Sequence, residues 1–189
     1  MKKLSLYNDD KLIELLKSDD VKSSEAAFQE IYQRYSPMIN AYLYKILNDE
    51  QLTEDFFQDT FIKFYINIKK DTFKTNIAGY LIKIARNLCL NYKRDKKSKV
   101  SIEDLNISIE KNQNYENQEL LELINYALDL LDFDYKEAFI LREYDGFSYQ
   151  EIANITGTTL TNAKSRVFRA KKRIKEILQP YVQEFLKLE

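Results

Sequence analysis

Only three glycines and two prolines punctuate 189 residues. So few chain-breaking residues favour long helices over a turn-rich β fold. Apolar periodicity points the same way. Leu12, Ile13, Leu15 and Leu16 predict a short helix. Across 24–48 the spacing predicts a helix pair, with Ala27, Phe28, Ile31 and Tyr32 before Ser36-Pro37 and Met38, Ile39, Tyr42, Leu43 and Ile46 after it. The division falls at the proline, which suits a helix start and disfavours helix at the residue before it. Further helices are predicted from about Gln51 to Ile68 and from about Asn76 to Lys97. After a polar, weakly periodic stretch at 98–116, four more follow near 117–131, 136–144, 148–156 and 160–179, with Pro180 close to the end. No internal repeat or strand pattern stands out, so the expected class is all-α, two small helical domains on a tether.

Charge is segregated along the chain, although the formal net charge is only −1. Residues 83–99 carry seven bases (Lys83, Arg86, Lys93, Arg94, Lys96, Lys97, Lys99) against Asp95 alone. Residues 100–135 carry nine acids against Lys111. Residues 160–175 again carry seven bases (Lys164, Arg166, Arg169, Lys171, Lys172, Arg173, Lys175) and no acid. Two basic clusters joined by an acidic tether form a layout rather than an average. On composition alone the bland alternative, solvated helix faces, is equally open.

Several function classes drop out on residue types. Cys89 is the single cysteine and histidine is absent, which excludes an intrachain disulfide, ordinary Cys/His zinc sites and His-based triads. Cys89 is expected to be a small buried or edge hydrophobe with no redox role. No metal or cofactor is expected. The first residues lack a signal-peptide apolar region, and no run approaches the roughly 20 apolar residues of a membrane span. The chain reads as cytoplasmic.

The last basic cluster can be placed on its helix. Leu160, Ala163, Val167, Ala170, Ile174 and Leu178 make one apolar stripe. The opposite face carries Asn162, Ser165, Arg169 and Lys172, with Phe168 and Lys164 along one side. Just upstream, Ser148 and Glu151 have capping-box spacing, with Phe147 and Ile152 as the hydrophobic staple. Gly157 can end that helix in the left-handed conformation. A short capped helix, a glycine-containing turn and a basic helix form the helix-turn-helix pattern, whose second helix enters the major groove. The seven cations are therefore expected to face phosphates and guanines.

Here the segment FILREYDGFSYQEIANITGTTLTNAKSRVFRAKKRI resembles region 4 of extracytoplasmic-function sigma factors, the short two-domain members of the sigma-70 family. Leu141, Arg142, Glu143, Gly146, Ser148, Tyr149, Glu151, Ile152, Ala153, Gly157, Lys164, Ser165, Arg166, Arg169 and Ala170 carry the likeness. Thr161 and Asn162 stand where the family usually has Gly-Thr, which bears on promoter preference. The resemblance implies a −35 reader built from Asn162, Lys164, Ser165, Phe168, Arg169 and Lys172. Phe168 can meet a thymine methyl or simply cover the domain surface.

The N-terminal half separates this reading from an ordinary helix-turn-helix regulator. LTEDFFQDTFIKFY places Phe57, Phe61, Phe64 and Ile68 on one helix face and Asp55, Gln58, Asp59 and Ile62 on the other. It resembles family region 2.2, which implies that Asp55, Gln58 and Asp59 bind the β′ clamp helices of core RNA polymerase. A rigid acid-amide-acid patch beside an apolar residue suits charge-complementary docking. FKTNIAGYLIKIARNLCLNYKRDKKSK is similar to regions 2.3 and 2.4. Leu81, Ile84, Ala85, Leu88 and Tyr92 form its apolar stripe. Tyr80, Asn87 and Asn91 share a lateral arc, and Lys83, Arg86, Arg94 and Lys97 lie outside the stripe. A ring to stack on a base, amides to read its edge and cations for the backbone are what single-strand recognition needs. The resemblance implies a −10 site at Tyr80, Lys83, Arg86, Asn87, Asn91 and Arg94. The family commonly has Trp at the position of Tyr80.

The expected division is an N-terminal extension at 1–23, a sigma region 2 domain at 24–98, a flexible acidic linker at 99–117 and a region 4 domain at 118–189. The resemblance implies that the linker threads the RNA channel of the holoenzyme, with Glu103, Asp104 and Glu110 mimicking nucleic-acid charge. The implied function is a non-catalytic promoter-specificity subunit of bacterial RNA polymerase, with core enzyme, promoter DNA and a separate anti-sigma protein as partners. The rival readings are a helix-turn-helix regulator that does not bind core enzyme, a helical scaffold, and an enzyme. The last would need a catalytic constellation, and none is visible.

Overall fold

The computed structural model describes residues 4–68, 76–99 and 116–185. After a 3-10 turn at Leu4–Leu6, these residues form α1 (Asp9–Leu16), α2 (Val21–Leu47), α3 (Glu50–Ile68), α4 (Ile77–Lys99), α5 (Glu116–Asp129), α6 (Phe133–Glu143), α7 (Tyr149–Thr156) and α8 (Leu160–Phe185), with no strand among them. Two compact units divide the chain, Met1–Lys93 and Arg94–Glu189. The expected linker lies largely outside the described residues, since α4 ends at Lys99 and α5 begins at Glu116.

The first unit is built around α2, which packs against α1 and α3. Side-chain caps define its helix starts. The Asn8 carbonyl oxygen accepts from the Lys11 N–H at 3.0 Å, and the Asp20 carboxylate accepts from the Ser23 N–H at 3.2 Å. The Ser23 hydroxyl donates to the same Asp20 carboxylate and, with the backbone N–H groups of Ser23 and Lys22, holds its pKa below the ordinary value. At the other end of α2, Asn48 takes the left-handed conformation (φ 50°) and its N–H donates to the Tyr44 carbonyl.

The predicted helix break at Pro37 does not occur: α2 runs through it as one helix. Proline removes one backbone hydrogen bond and crowds the carbonyl four residues back, at a cost of about 3 kcal/mol. Packing on both sides outweighs that cost, because Ala27, Ile31, Ile39, Tyr42 and Leu43 are all fully buried along the helix. The Ser36 hydroxyl also donates to the Tyr32 carbonyl in the disturbed turn.

The residues set apart as an N-terminal extension pack into this unit. Leu12 and Leu16 on α1 have no exposed surface, and the Ser24 hydroxyl donates to the Leu16 carbonyl at 2.8 Å. Asp9, the first residue of α1, binds two other helices. Its carboxylate accepts from the Tyr35 hydroxyl at 2.7 Å, from Arg34 Nη1 at 3.2 Å and from the Ile77 N–H at 3.4 Å. Between α2 and α3, Phe28, Tyr32, Phe57, Phe61 and Tyr65 form an aromatic cluster with edge-on and tilted contacts, the shortest being Tyr32–Phe61 at 4.8 Å between ring centres.

In the second unit α8 is the spine, with α5, α6 and α7 packed against it. Ala127, Leu128, Leu131, Ala170 and Ile174 form one buried cluster, flanked by Ile124, Tyr135, Phe139, Ile177 and Leu178. The capping box of α7 forms as the sequence predicts: Glu151 N–H donates to Ser148 Oγ at 3.2 Å, and Ser148 N–H donates to Glu151 Oε2 at 2.8 Å. Phe147 and Ile152, the staple pair, are both buried. Gly157 has φ 66°, where a β-carbon would carry strain, and its N–H donates to the Ala153 carbonyl. Thr159 then caps α8 by accepting from the Asn162 N–H at 3.1 Å. Pro180 lies inside α8, which continues to Phe185, whereas the predicted helix stopped at 179.

Candidate nucleic-acid interface

On α8 the expected apolar stripe is the buried one. Ala163, Val167, Ala170 and Ile174 are buried and Leu178 is half-buried, while Leu160 at the helix start is exposed. That fixes the rotation of the helix. Asn162, Lys164, Arg169 and Lys172 face solvent and Ser165 is half-buried. Phe168 is 68% exposed, with Lys164 and Lys172 one helical turn away on either side. Because α7 is capped at both ends and the turn has its glycine in the left-handed region, the outer face of α8 stands on a rigid helix-turn-helix.

The cations of α8 do not form a uniform surface, since several meet acids or a hydroxyl of the same unit. Arg166 Nη2 sits 2.6 Å from Asp134 Oδ2 on the first turn of α6. Lys171 pairs with Glu143 at the end of α6 at 2.8 Å, and Arg173 pairs with Glu176 at 3.3 Å. Arg169 Nη1 donates to the Tyr135 hydroxyl at 3.3 Å, and Lys172 lies 4.0 Å from Glu176. Asp132, Phe133, Asp134 and Tyr135 from the start of α6, with Asn162, Ser165, Arg166 and Arg169 from α8, line an open cleft of about 510 Å³. Sequence reasoning missed Asp134 and Tyr135. The acidic run ending at Asp132 and Asp134 was visible, but a helical wheel of α8 cannot say which acid meets which base.

On α4 the buried residues are Ile77, Leu81, Ile82, Ile84, Ala85 and Cys89. Leu88 and Tyr92, predicted for the stripe, are half-buried, and Tyr92 meets Phe56 edge-on at 5.8 Å. Tyr80 is half-buried against Phe64, ring centres 6.1 Å apart. Lys83, Asn87, Asn91 and Arg94 face solvent and Arg86 is half-buried. Arg94 lies 3.8 Å from Asp95. Asn76 opens the helix by accepting from the Gly79 N–H at 2.5 Å. This helix therefore presents a ring at the core edge with two amides further along.

On α3, Phe61, Phe64 and Ile68 are buried and Phe57 is half-buried in the aromatic cluster. Asp55, Gln58 and Asp59 face solvent on the other side, and Ile62 beside them is 54% exposed. An acidic patch carrying an exposed isoleucine, held by buried aromatics beneath, is a surface fit for a basic-and-apolar partner. No helix among the described residues is long and apolar enough to cross a membrane.

Comparison with known proteins covers both units. The family model for sigma-70 region 2 matches residues 31–99, and that for sigma-70 region 4 matches residues 121–174. The extracytoplasmic-function sigma factor SigM of Bacillus subtilis is 32% identical over 152 residues, covering 78% of this chain and 93% of that protein. The sigma-E factor of Escherichia coli is 30% identical over 178 residues, covering 86% and 92%. Among solved structures, the sigma factor RpoE of Bartonella quintana, in complex with the anti-sigma factor NepR, is 28% identical with a TM-score of 0.67, covering 80% of this chain and 96% of that one. CnrH, solved with the cytosolic domain of CnrY, is 19% identical and shares the fold at a TM-score of 0.69, covering 91% and 97%. A helix-turn-helix regulator would not carry the region 2 match, and with both regions present in order this protein belongs to the extracytoplasmic-function sigma factors of the sigma-70 family.

Proposed function

We propose that this sigma factor divides promoter recognition among three surfaces. Asp55, Gln58 and Asp59 dock on the clamp helices of core RNA polymerase, with Ile62 as the apolar contact. Tyr80, Asn87 and Asn91 capture an unstacked −10 base, and Lys83, Arg86 and Arg94 hold the strand backbone. Asn162, Lys164, Ser165, Phe168, Arg169 and Lys172 read the −35 duplex in the major groove. The working division is region 2 at 24–98, linker at 99–117 and region 4 at 118–189. The chain acts in the cytoplasm as a specificity subunit and performs no catalysis of its own. An anti-sigma protein is the remaining partner, since the similar RpoE of Bartonella quintana binds one.

The observation that carries this reading is the α3 patch. A protein that only bound DNA would have no use for an exposed patch of Asp55, Asp59 and Ile62, whose charge repels phosphate. In vitro transcription with core polymerase and a promoter library tests the whole assignment. Asp55→Lys with Asp59→Lys is expected to weaken core binding on the order of tenfold or more, because like charges then face the partner. Both positions are exposed, so the melting temperature is expected to hold. Undiminished competition for core enzyme by the doubly reversed protein would move the docking face elsewhere.

A further inference from the structure

The region 2 match begins at residue 31, so α1 lies outside it. Yet α1 holds the first turn of the helix that carries the proposed −10 reader. Three donors meet at Asp9. Its carboxylate takes the Tyr35 hydroxyl at 2.7 Å and Arg34 Nη1 at 3.2 Å, both from α2. It also takes the Ile77 N–H at 3.4 Å, one of the α4 amides that have no partner within their own helix. Arg34 is held in turn, donating to Glu30 at 3.0 Å and to the Tyr7 carbonyl at 3.1 Å. Ile77 itself is fully buried, which leaves the start of α4 little room to settle elsewhere.

We propose that Asp9 is a positioning residue for −10 recognition: by joining α1, α2 and the first turn of α4, it sets the placement of Tyr80, Asn87 and Asn91. This rests on the −10 assignment proposed above. The lever is long. Asn87 lies ten residues beyond Ile77, about 15 Å along the helix at 1.5 Å per residue. A tilt of about 2° at Ile77 therefore moves Asn87 by roughly 0.5 Å, the tolerance of a preorganised site. Tyr80, one turn from Ile77, moves less and is also held by Phe64. The amides, rather than the ring, depend most on Asp9.

The test uses reconstituted holoenzyme and single-stranded −10 oligonucleotides taken from a promoter selected in the transcription screen. Preference for the cognate strand over one with the captured base replaced is measured beside −35 duplex discrimination and the melting curve. Asp9→Ala is expected to reduce −10 preference on the order of tenfold, as sub-ångström misplacement does at reactive sites. Discrimination at −35 is expected to stay within about twofold, since its reader lies in the other compact unit and shares no partner with Asp9. A merely structural role would lower the melting temperature and the active fraction and leave the ratio between the two −10 strands unchanged. Should Asp9→Ala fail to fold, Asp9→Asn decides: its single acceptor oxygen cannot serve three donors, so −10 preference is again expected to fall. Unchanged −10 preference in a folded Asp9 variant overturns the proposal. Asn87→Ala, measured alongside, separates the two readings. If it leaves −10 preference intact, the −10 assignment itself fails. If it lowers preference and the Asp9 variants do not, only the positioning role fails.

Discussion

The helices α4 and α8 look alike in sequence and are organised differently in space. Each belongs to a cluster of seven cations. In α8 charge positions charge: Asp134 holds Arg166, Glu143 holds Lys171, and Tyr135 meets Arg169. In α4 the proposed reading groups rest largely on packing, with Ile77, Leu81, Ile82, Ala85 and Cys89 buried beneath them and Phe64 against Tyr80, and Asp9 adds one polar contact at the first turn. The difference fits the proposed targets. Duplex binding is dominated by phosphate charge and needs cations held at a fixed register. Reading an unpaired base needs a stacking ring and short-range hydrogen bonds, so a firm hydrophobic base matters more than net charge.

The most damaging way to test this contrast is at the two principal readers. Tyr80→Ala removes a half-buried ring that is the proposed stacking partner of the −10 base. Loss of stacking is expected to cost about 1–3 kcal/mol in single-strand affinity. Loss of the Phe64 contact is expected to lower the melting temperature as well, by an amount equivalent to about 0.5–1.5 kcal/mol. Arg169→Ala is expected to behave oppositely. It costs about 1–3 kcal/mol on a cognate −35 duplex if the guanidinium makes a bidentate guanine contact, with an unchanged melting curve because Arg169 is exposed. Equal loss on cognate and scrambled duplexes would reduce Arg169 to a phosphate contact. An unchanged melting temperature in Tyr80→Ala would erase the contrast from the α4 side.

A smaller effect separates the cations within α8. Arg166 is partly buried and paired with Asp134, so Arg166→Ala is expected to cost about 0.5–1 kcal/mol of stability, the upper range for a pair this exposed. Removing Lys164, which is exposed on the outer face, is expected instead to reduce the salt dependence of duplex binding with no loss of stability. If Arg166→Ala flattens the salt dependence as strongly as Lys164→Ala, the division between holding and reading cations is wrong.

Local chemistry was legible in the sequence, and long-range partnership was not. The capping box at Ser148 and Glu151, the left-handed Gly157 and the buried stripe through Ala163, Val167, Ala170 and Ile174 depend on residues a few positions apart. Spacing alone reveals them. The prolines misled because their cost is local, about 3 kcal/mol, while the burial that overrides it along α2 comes from α1 and α3. Likewise Asp9 reads as an ordinary first-turn acid, favourable to the helix dipole. Its partners stand 25, 26 and 68 positions away, beyond any window of periodicity. Asp134 and Tyr135 escaped notice for the same reason, 32 and 34 positions from the arginines they meet.

The gentlest test of the contrast is alkaline pH. Burial, then the hydrogen bond and charge of Asp9, push the Tyr35 phenol well above its ordinary value of 10, and Arg34 pulls weakly the other way. A raised folded pKa means that the folded state keeps the proton longer than the unfolded chain does. The stability this contributes is fully present below about pH 10, where both states are protonated, and is lost as pH climbs above 10 and the unfolded chain alone gives up its proton. Tyr35 is half-exposed, so screening keeps the effect below about 1 kcal/mol in the accessible range. Melting curves of wild type and Tyr35→Phe between pH 8 and 10.5 isolate it, because the other tyrosines titrate in both proteins. The wild type is expected to lose more stability over that interval than the variant, while the −10 preference of the folded protein holds, because the folded phenol keeps its proton throughout. Parallel curves for the two proteins would mean that the phenol proton has no part in holding α4, and that packing alone sets the helix.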